Sequence, residues 1–179
     1  MVIFLKNQHR RKITLDIGCG FSAKSKIGEK YIAKPRGDVN IDTGKPELKI
    51  HNFVRASAEK LPFREGVFDE VYMIHVIEHL NNPLNALKEI FKVLKKNGKL
   101  ILVTPNIYSK SSYTDPTHKW HFDARSLKEC FKASGFFISI KVRGEGGCWI
   151  PIKGNTRLWG KFLGKIHFLA KDLVVTCRK

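Results

Sequence analysis

Apolar positions along the chain follow two rhythms that alternate. Short apolar runs at 13–17, 38–41, 52–57, 67–74 and 99–104, bounded by Gly, Pro, Asn and Asp, have the length of strands in a parallel sheet. After the fourth run the rhythm changes. Asn82 can cap and Pro83 can open a helix in which Leu84, Leu87, Ile90, Phe91 and Leu94 form one apolar stripe. Lys88, Lys92, Lys95 and Lys96 are expected on its wet face, and Asn97 with Gly98 at its end. A second helix is predicted from a cap at Asp123 through about residue 133, stopped by Gly135, with strands following at 136–142 and 169–177. Strands alternating with helices predict an α/β fold, a mostly parallel sheet with helices on both faces.

Two stretches interrupt this regularity. Residues 104–122 are dense in Ser, Pro, His and Tyr, a long connection of the kind that carries function or moves. An insert at 143–168 mixes Trp149, Trp159, Phe162 and Leu163 with Arg157, Lys161 and Lys165. Its aromatics can pack on the sheet, or form a basic, aromatic lid over a lipid or nucleic-acid substrate.

The densest chemical signal is LDIGCG at 15–20, a strand running into two glycines one residue apart. Glycines directly after a strand let main chain approach a ligand without interference from Cβ. Gly18, Gly20 and Ala23 satisfy the dinucleotide pattern, and Asp42 follows at about the 20-residue distance of a ribose-binding acid. Asp16 argues for a different cofactor. Its carboxylate, two residues before the first glycine, would repel a pyrophosphate and attract an ammonium. Residues 21–36 also make a poor helix, broken by Gly28 and Pro35, whereas a pyrophosphate site needs helix amides at that point. S-adenosylmethionine has an ammonium and no phosphate, and it fits these residues better than NAD.

Five segments in order, LDIGCG, VNID at 39–42, SAEKLPF at 57–63, FDEVYMIHVIEHL at 68–80 and LKKNGKLILVTPN at 94–106, resemble the class I S-adenosylmethionine-dependent methyltransferases. The resemblance is to the broad branch that includes quinone-biosynthesis enzymes, and it spans nearly the whole chain. It implies a Rossmann-like seven-stranded sheet in the order 3-2-1-4-5-7-6, with strand 7 antiparallel. It also implies that Asp16 lies near the methionine part of the cofactor, that Gly18 and Gly20 allow close approach, and that Asp42 accepts the ribose hydroxyls. Ala58 and Glu59 resemble the adenine contact, and His75 the cofactor-lining residue after strand four. Ser22 departs from the pattern, standing where many relatives carry a third glycine.

Length and composition narrow the picture further. At 179 residues and 42% apolar content the chain is expected to be one domain with a sizeable core. Cys19, Cys130, Cys148 and Cys177 show no metal-binding spacing, which favours a reduced, cytoplasmic compartment. The apolar run 2–5 is too short for a signal peptide or a membrane span. The net charge of +17 comes from 33 basic and 16 acidic residues, with nine Lys and Arg in 1–36 and nine in 141–179. Such a field concentrates anionic partners, so nucleic acid, an anionic lipid or a nucleotide-linked sugar are the acceptor classes it favours. Solubility alone also accounts for it.

Four of the seven histidines, His75, His79, His118 and His121, fall in the turn after strand four and in the long 104–122 connection. Both segments leave the carboxyl edge of the sheet, where open α/β folds bind ligands. His79, His118 and His121 are therefore the candidate catalytic residues. Three roles are open to them: hydrogen bonds that pin the loop, a general base, or, with Glu78, mixed ligands for a divalent ion. The small-RNA 2′-O-methyltransferases have a related acid and histidine cluster with a metal, although His75 stands where they carry a further Glu. The expected activity is methyl transfer to an unidentified acceptor. The alternative is a non-catalytic protein of the same fold that binds RNA or a partner through its basic faces.

Overall fold

Thr14–Ile17 (β1), Val39–Asp42 (β2), Phe53–Arg55 (β3), Phe68–Ile74 (β4), Leu94–Pro105 (β5), Ser139–Glu145 (β6) and Asp172–Arg178 (β7) form one sheet in the computed structural model. The structure describes residues 11–20, 36–46, 49–135, 139–145 (main chain) and 170–179. Strand order is β3-β2-β1-β4-β5-β7-β6. The first five strands in that order pair in parallel, and β7 runs antiparallel to both β5 and β6. This is the order and the single reversal expected from the sequence.

Leu15, Ile17, Ile41, Val71, Met73, Leu100 and Leu102 fill the centre of the sheet, all of them essentially inaccessible to solvent. Helices Pro83–Val93 (α1) and Ala124–Ala133 (α3) add Leu87, Ile90, Leu127 and Phe131 to the same core. Each such side chain contributes about 1.5–3 kcal/mol through removal of apolar surface from water. Polar clamps set the register at the strand starts. Asp38 Oδ2 accepts from Thr14 N at 3.0 Å and from Thr14 Oγ1 at 2.9 Å. Asp69 Oδ2 accepts from Ile13 N at 2.8 Å and from Lys95 Nζ at 2.6 Å.

Both helices start where their caps predict. Asn82 Oδ1 accepts from Asn85 N at 2.9 Å, with Pro83 in the first turn. Asp123 and Ser126 form a reciprocal capping box, and Gly135 follows α3 with φ +99°.

Several boundaries differ from the sequence expectation. Helix α1 ends at Val93, so Leu94, Lys95 and Lys96 belong to β5 and not to the helix. The cause is tertiary: Leu94 pairs with Phe68, and the Asn97–Gly98 turn exchanges main-chain bonds with Lys179, Asn97 N to Lys179 O and Lys179 N to Gly98 O, both at 3.1 Å. Asn97, with φ +65°, and Gly98 shape an irregularity inside β5 where a helix stop was expected. Strand β3 is shorter than 52–57; Ser57 forms instead an isolated bridge to Lys60. Residues 143–145, expected in the insert, extend β6 because they pair with Val174, Leu173 and Asp172 of β7. The long connection contains a short helix, Ser111–Thr114 (α2), and Asn106 bridges Phe122 across its base.

Other expectations lie outside the described residues: the poor helix at 21–35 with Ser22 and Ala23, the rest of the insert at 146–168, Cys148, and most of both basic clusters. Cys19, Cys130 and Cys177 are free thiols. No helix among the described residues is long and apolar enough to cross a membrane.

Candidate functional site

A cavity of about 640 Å³ opens where the carboxyl ends of β1, β2 and β4 meet the β3–β4 connection and the turn between β4 and α1. Its volume falls in the range of small-molecule sites. Gly18, Gly20, Asp42, Ala58, Glu59, His75 and His79, seven of the ten residues singled out by sequence, all line it.

The glycine loop is tied to the end of β2, since Gly18 N and Cys19 N both donate to Ile41 O, at 2.9 and 3.1 Å. Gly18 has φ +72°, and a Cβ there would lie 2.2 Å from Val76 Cγ2. Only glycine permits this contact between the loop and the turn after β4. Asp42 closes the other side: Oδ2 accepts from Gly20 N at 3.1 Å and Oδ1 from Gly44 N at 3.0 Å. A carboxylate has about four lone-pair sites, so each oxygen retains capacity for a ligand hydroxyl.

Asp16 is only 2% exposed and is not among the cavity-lining residues. Its Oδ2 accepts from Arg36 N at 2.8 Å, and burial raises its pKa above the ordinary carboxylate value. Cys19 is also raised, to about 11, first by burial and then by the nearby Asp42 and Asp16, which keeps the thiol protonated.

Glu59 works as a latch. Its Oε1 accepts from Asn81 N at 2.8 Å and Asn82 N at 3.2 Å, and its carbonyl oxygen accepts from Asn85 Nδ2 at 2.7 Å. The loop holding Ala58 and Glu59 is thereby bound to the start of α1.

After β4 the chain turns through His75, which has φ +53°, into a 3₁₀ turn, Ile77–His79. A left-handed histidine is strained, and such strain gathers at functional sites. His75 Nδ1 lies 3.4 Å from Glu78 Oε1, and the Glu78 carboxylate raises the His75 pKa. Glu78 itself is buried, 1% exposed, and its Oε2 accepts from Thr104 Oγ1 at 3.0 Å.

The long connection is fastened to this turn. Lys119 N and Trp120 N both donate to Glu78 O, at 2.8 and 3.1 Å, Trp120 Nε1 donates to Leu80 O at 2.9 Å, and Lys119 Nζ donates to Asn81 Oδ1 at 2.7 Å. As a result His118 lies beside His79, ring centroids 4.8 Å apart. His121 is placed elsewhere. It is exposed, stacks on Tyr113 with centroids 4.6 Å apart, hydrogen-bonds Ser112 Oγ through Nδ1 at 2.8 Å, and is not among the cavity-lining residues. Sequence reasoning missed Asn81 and Lys119, which also line the cavity. Neither belongs to a motif, and only their neighbours in sequence, Leu80 and His118, pointed to the region.

Residues 15–102 match the family model of a methyltransferase domain. An uncharacterized protein of Methanocaldococcus jannaschii is 35% identical over 106 residues, covering 58% of this chain and 46% of the relative. A demethylmenaquinone methyltransferase of Lactococcus lactis is 24% identical over 173 residues, covering 74% of this chain and 68% of the relative. The first four curated relatives matched are longer proteins, of which the chain spans between 32% and 46%. Among solved structures, a SAM-dependent methyltransferase from Archaeoglobus fulgidus superposes with a TM-score of 0.66 at 23% identity, covering 93% of this chain and 85% of that one. That match marks residues 15–102 as similar to a methyltransferase domain, and the strand order, with its glycine loop opening on a cavity at the carboxyl edge of the sheet, is a fold shared with a solved S-adenosylmethionine-dependent methyltransferase.

Proposed function

We propose that this chain binds S-adenosylmethionine in the cavity beside Gly18 and Gly20 and transfers its methyl group to an acceptor that enters between the turn after β4 and the 105–122 connection. The observation that carries this reading is the joint placement of Gly18, Gly20 and Asp42 on one cavity. The loop presents bare main chain, and Asp42 keeps lone pairs for a pair of vicinal hydroxyls. Ala58, buried next to the Glu59 latch, offers an apolar surface for a flat base. Asp16 acts from beneath the loop: a carboxylate 2% exposed adds negative potential toward an ammonium without making direct contact.

The bound sulfonium supplies an activated methyl group and departs as a neutral thioether, so no acid has to assist the leaving group. What the protein adds is alignment and exclusion of water. His75, His79 and Lys119 line the side of the cavity formed by the two segments that meet at Glu78, and an acceptor seated there faces the cofactor loop. His121, stacked on Tyr113 and bonded to Ser112, supports α2 and does not touch the reacting groups. The proposed unit is one methyltransferase domain over residues 1–179.

Calorimetry tests this reading. S-adenosylmethionine or its demethylated product is expected to bind in the micromolar range, and NAD not at all. Asp42→Ala is expected to weaken binding by about 1–3 kcal/mol, the range for losing hydrogen bonds to a charged group. Binding of NAD with no response to the sulfonium would refute it.

A further inference from the structure

We infer that Glu78, His79 and His118 form a binding site for a divalent transition-metal ion beside the cavity, which His79 lines. One ligand atom from each residue, a Glu78 carboxylate oxygen and one ring nitrogen from each histidine, lies within 4.8 Å of the other two. Ligands about 2.0–2.2 Å from a common ion lie roughly 3–4 Å apart, so small side-chain movements close the set around a cation.

Hydrogen bonds determine which atoms are available. His118 Nδ1 lies 2.9 Å from Ser112 O, a carbonyl that can only accept, so Nδ1 carries the proton. His79 Nδ1 lies 3.3 Å from Thr117 O and 3.0 Å from Thr117 Oγ1. The Thr117 hydroxyl donates its own proton to Asp115 Oδ1 at 2.6 Å, so toward His79 it accepts, and this Nδ1 is protonated too. In both neutral rings the lone pair is then on Nε2. Metal-ligating histidines are oriented in this way, with the second ring nitrogen donating to a carbonyl or other acceptor.

Glu78 supplies the negative charge. Its Oε2 is satisfied by Thr104, whereas Oε1 is buried and meets no well-formed hydrogen bond among the described residues, only the long contact to His75 Nδ1 at 3.4 Å. A buried carboxylate oxygen held by so weak a contact is costly. Two imidazoles whose Nδ1 atoms are engaged elsewhere and a buried carboxylate thus come together, a set that a cation can satisfy. Asp115 Oδ2, 3.9 Å from His118 Nε2, is too distant to satisfy that nitrogen by a hydrogen bond.

Two nitrogens and one oxygen suit zinc, cobalt, manganese or iron better than magnesium or calcium. Three protein ligands leave further positions open, as in catalytic sites, for water or an acceptor oxygen. His79 belongs both to this cluster and to the cavity lining, so the ion stands where the acceptor enters. That last role rests on the methyltransferase reading; the metal site itself does not.

The test uses the whole chain, stripped with a chelator and titrated with Co²⁺, followed by visible absorption and by paramagnetic shifts of imidazole protons. One equivalent is expected to bind and to shift the His79 and His118 signals. His51, which precedes β3 at the opposite edge of the sheet, is expected to stay in place. Glu78→Gln and His118→Asn should each weaken binding by about 10- to 100-fold, the scale of perturbing a metal shell. Unshifted His79 and His118 signals in the wild type, which needs no variant to fold, would overturn the site, as would variants that bind Co²⁺ as tightly as wild type. Calorimetry with the demethylated cofactor on the same samples separates the two readings: its binding to wild type and His118→Asn alike keeps the cofactor reading whatever Co²⁺ does, and its absence beside intact Co²⁺ binding refutes the cofactor reading alone.

Discussion

Gly18→Ala is the most direct test of how the cofactor loop is built. Two costs add. An L-residue at φ +72° is strained by roughly 1–2 kcal/mol. The new methyl would start 2.2 Å from Val76 Cγ2, with the rest of that side chain at 3.4–3.5 Å, an overpacking that typically costs about 1–3 kcal/mol. The sum, about 2–5 kcal/mol, is a large part of the ~5–15 kcal/mol that holds a domain folded. At 2–4 °C per kcal/mol for a chain of this length, the midpoint should fall by about 4–20 °C. The two costs can be separated by a double-mutant cycle in urea denaturation. Val76→Ala removes the atom that is struck, so Gly18→Ala should cost about 1–3 kcal/mol less in that background, while the φ strain remains. Additive effects of the two substitutions would refute the steric account and leave backbone strain alone. A Gly18→Ala protein with an unchanged midpoint would refute both.

Three further outcomes follow from other contacts. Glu59→Ala leaves Asn81 N and Asn82 N without their acceptor at the start of α1, and is expected to cost about 1–2 kcal/mol in urea denaturation, with Glu59→Gln recovering most of it. The Asp38 pKa is lowered mainly by its hydrogen bonds from the Thr14 hydroxyl and amide, so its folded value lies below its unfolded one. Its stabilising contribution is therefore complete above the unfolded value of about 3.9 and lost as pH falls through the folded value, so the urea midpoints of wild type and Asp38→Asn should differ at pH 6 and converge in acid. The excess of 33 basic over 16 acidic residues should retain the protein on RNA or on anionic vesicles at low salt, with affinity falling steeply as salt rises; if neither retains it at low salt, the charge serves solubility only.

Much of this protein was legible in one dimension because its signals are local. The strand and loop of LDIGCG, the Asn82–Pro83 start of α1 and the Asp123 cap with Gly135 beyond α3 depend on residues within a few positions of one another, and the structure bears them out. Placing Gly18, Gly20, Asp42, Ala58, Glu59, His75 and His79 on one cavity was also within reach, because a parallel sheet brings successive strand ends to one edge.

What the sequence alone could not decide were competitions between distant segments. The lysines at 95 and 96 continue the helical rhythm, yet they lie in β5 because Leu94 pairs with Phe68 and the terminal residue bonds to the Asn97 turn. His118 and His121 are equal candidates by spacing. Lys119 N and Trp120 N donating to Glu78 O seat the first against His79, and stacking on Tyr113 carries the second away. Asp16, expected near the methionine part of a cofactor, accepts from the amide of Arg36, twenty residues on, and lies behind the cavity lining. In each case the local pattern allows both arrangements at similar cost, and the hydrogen bonds that choose between them exist only once the chain has closed on itself.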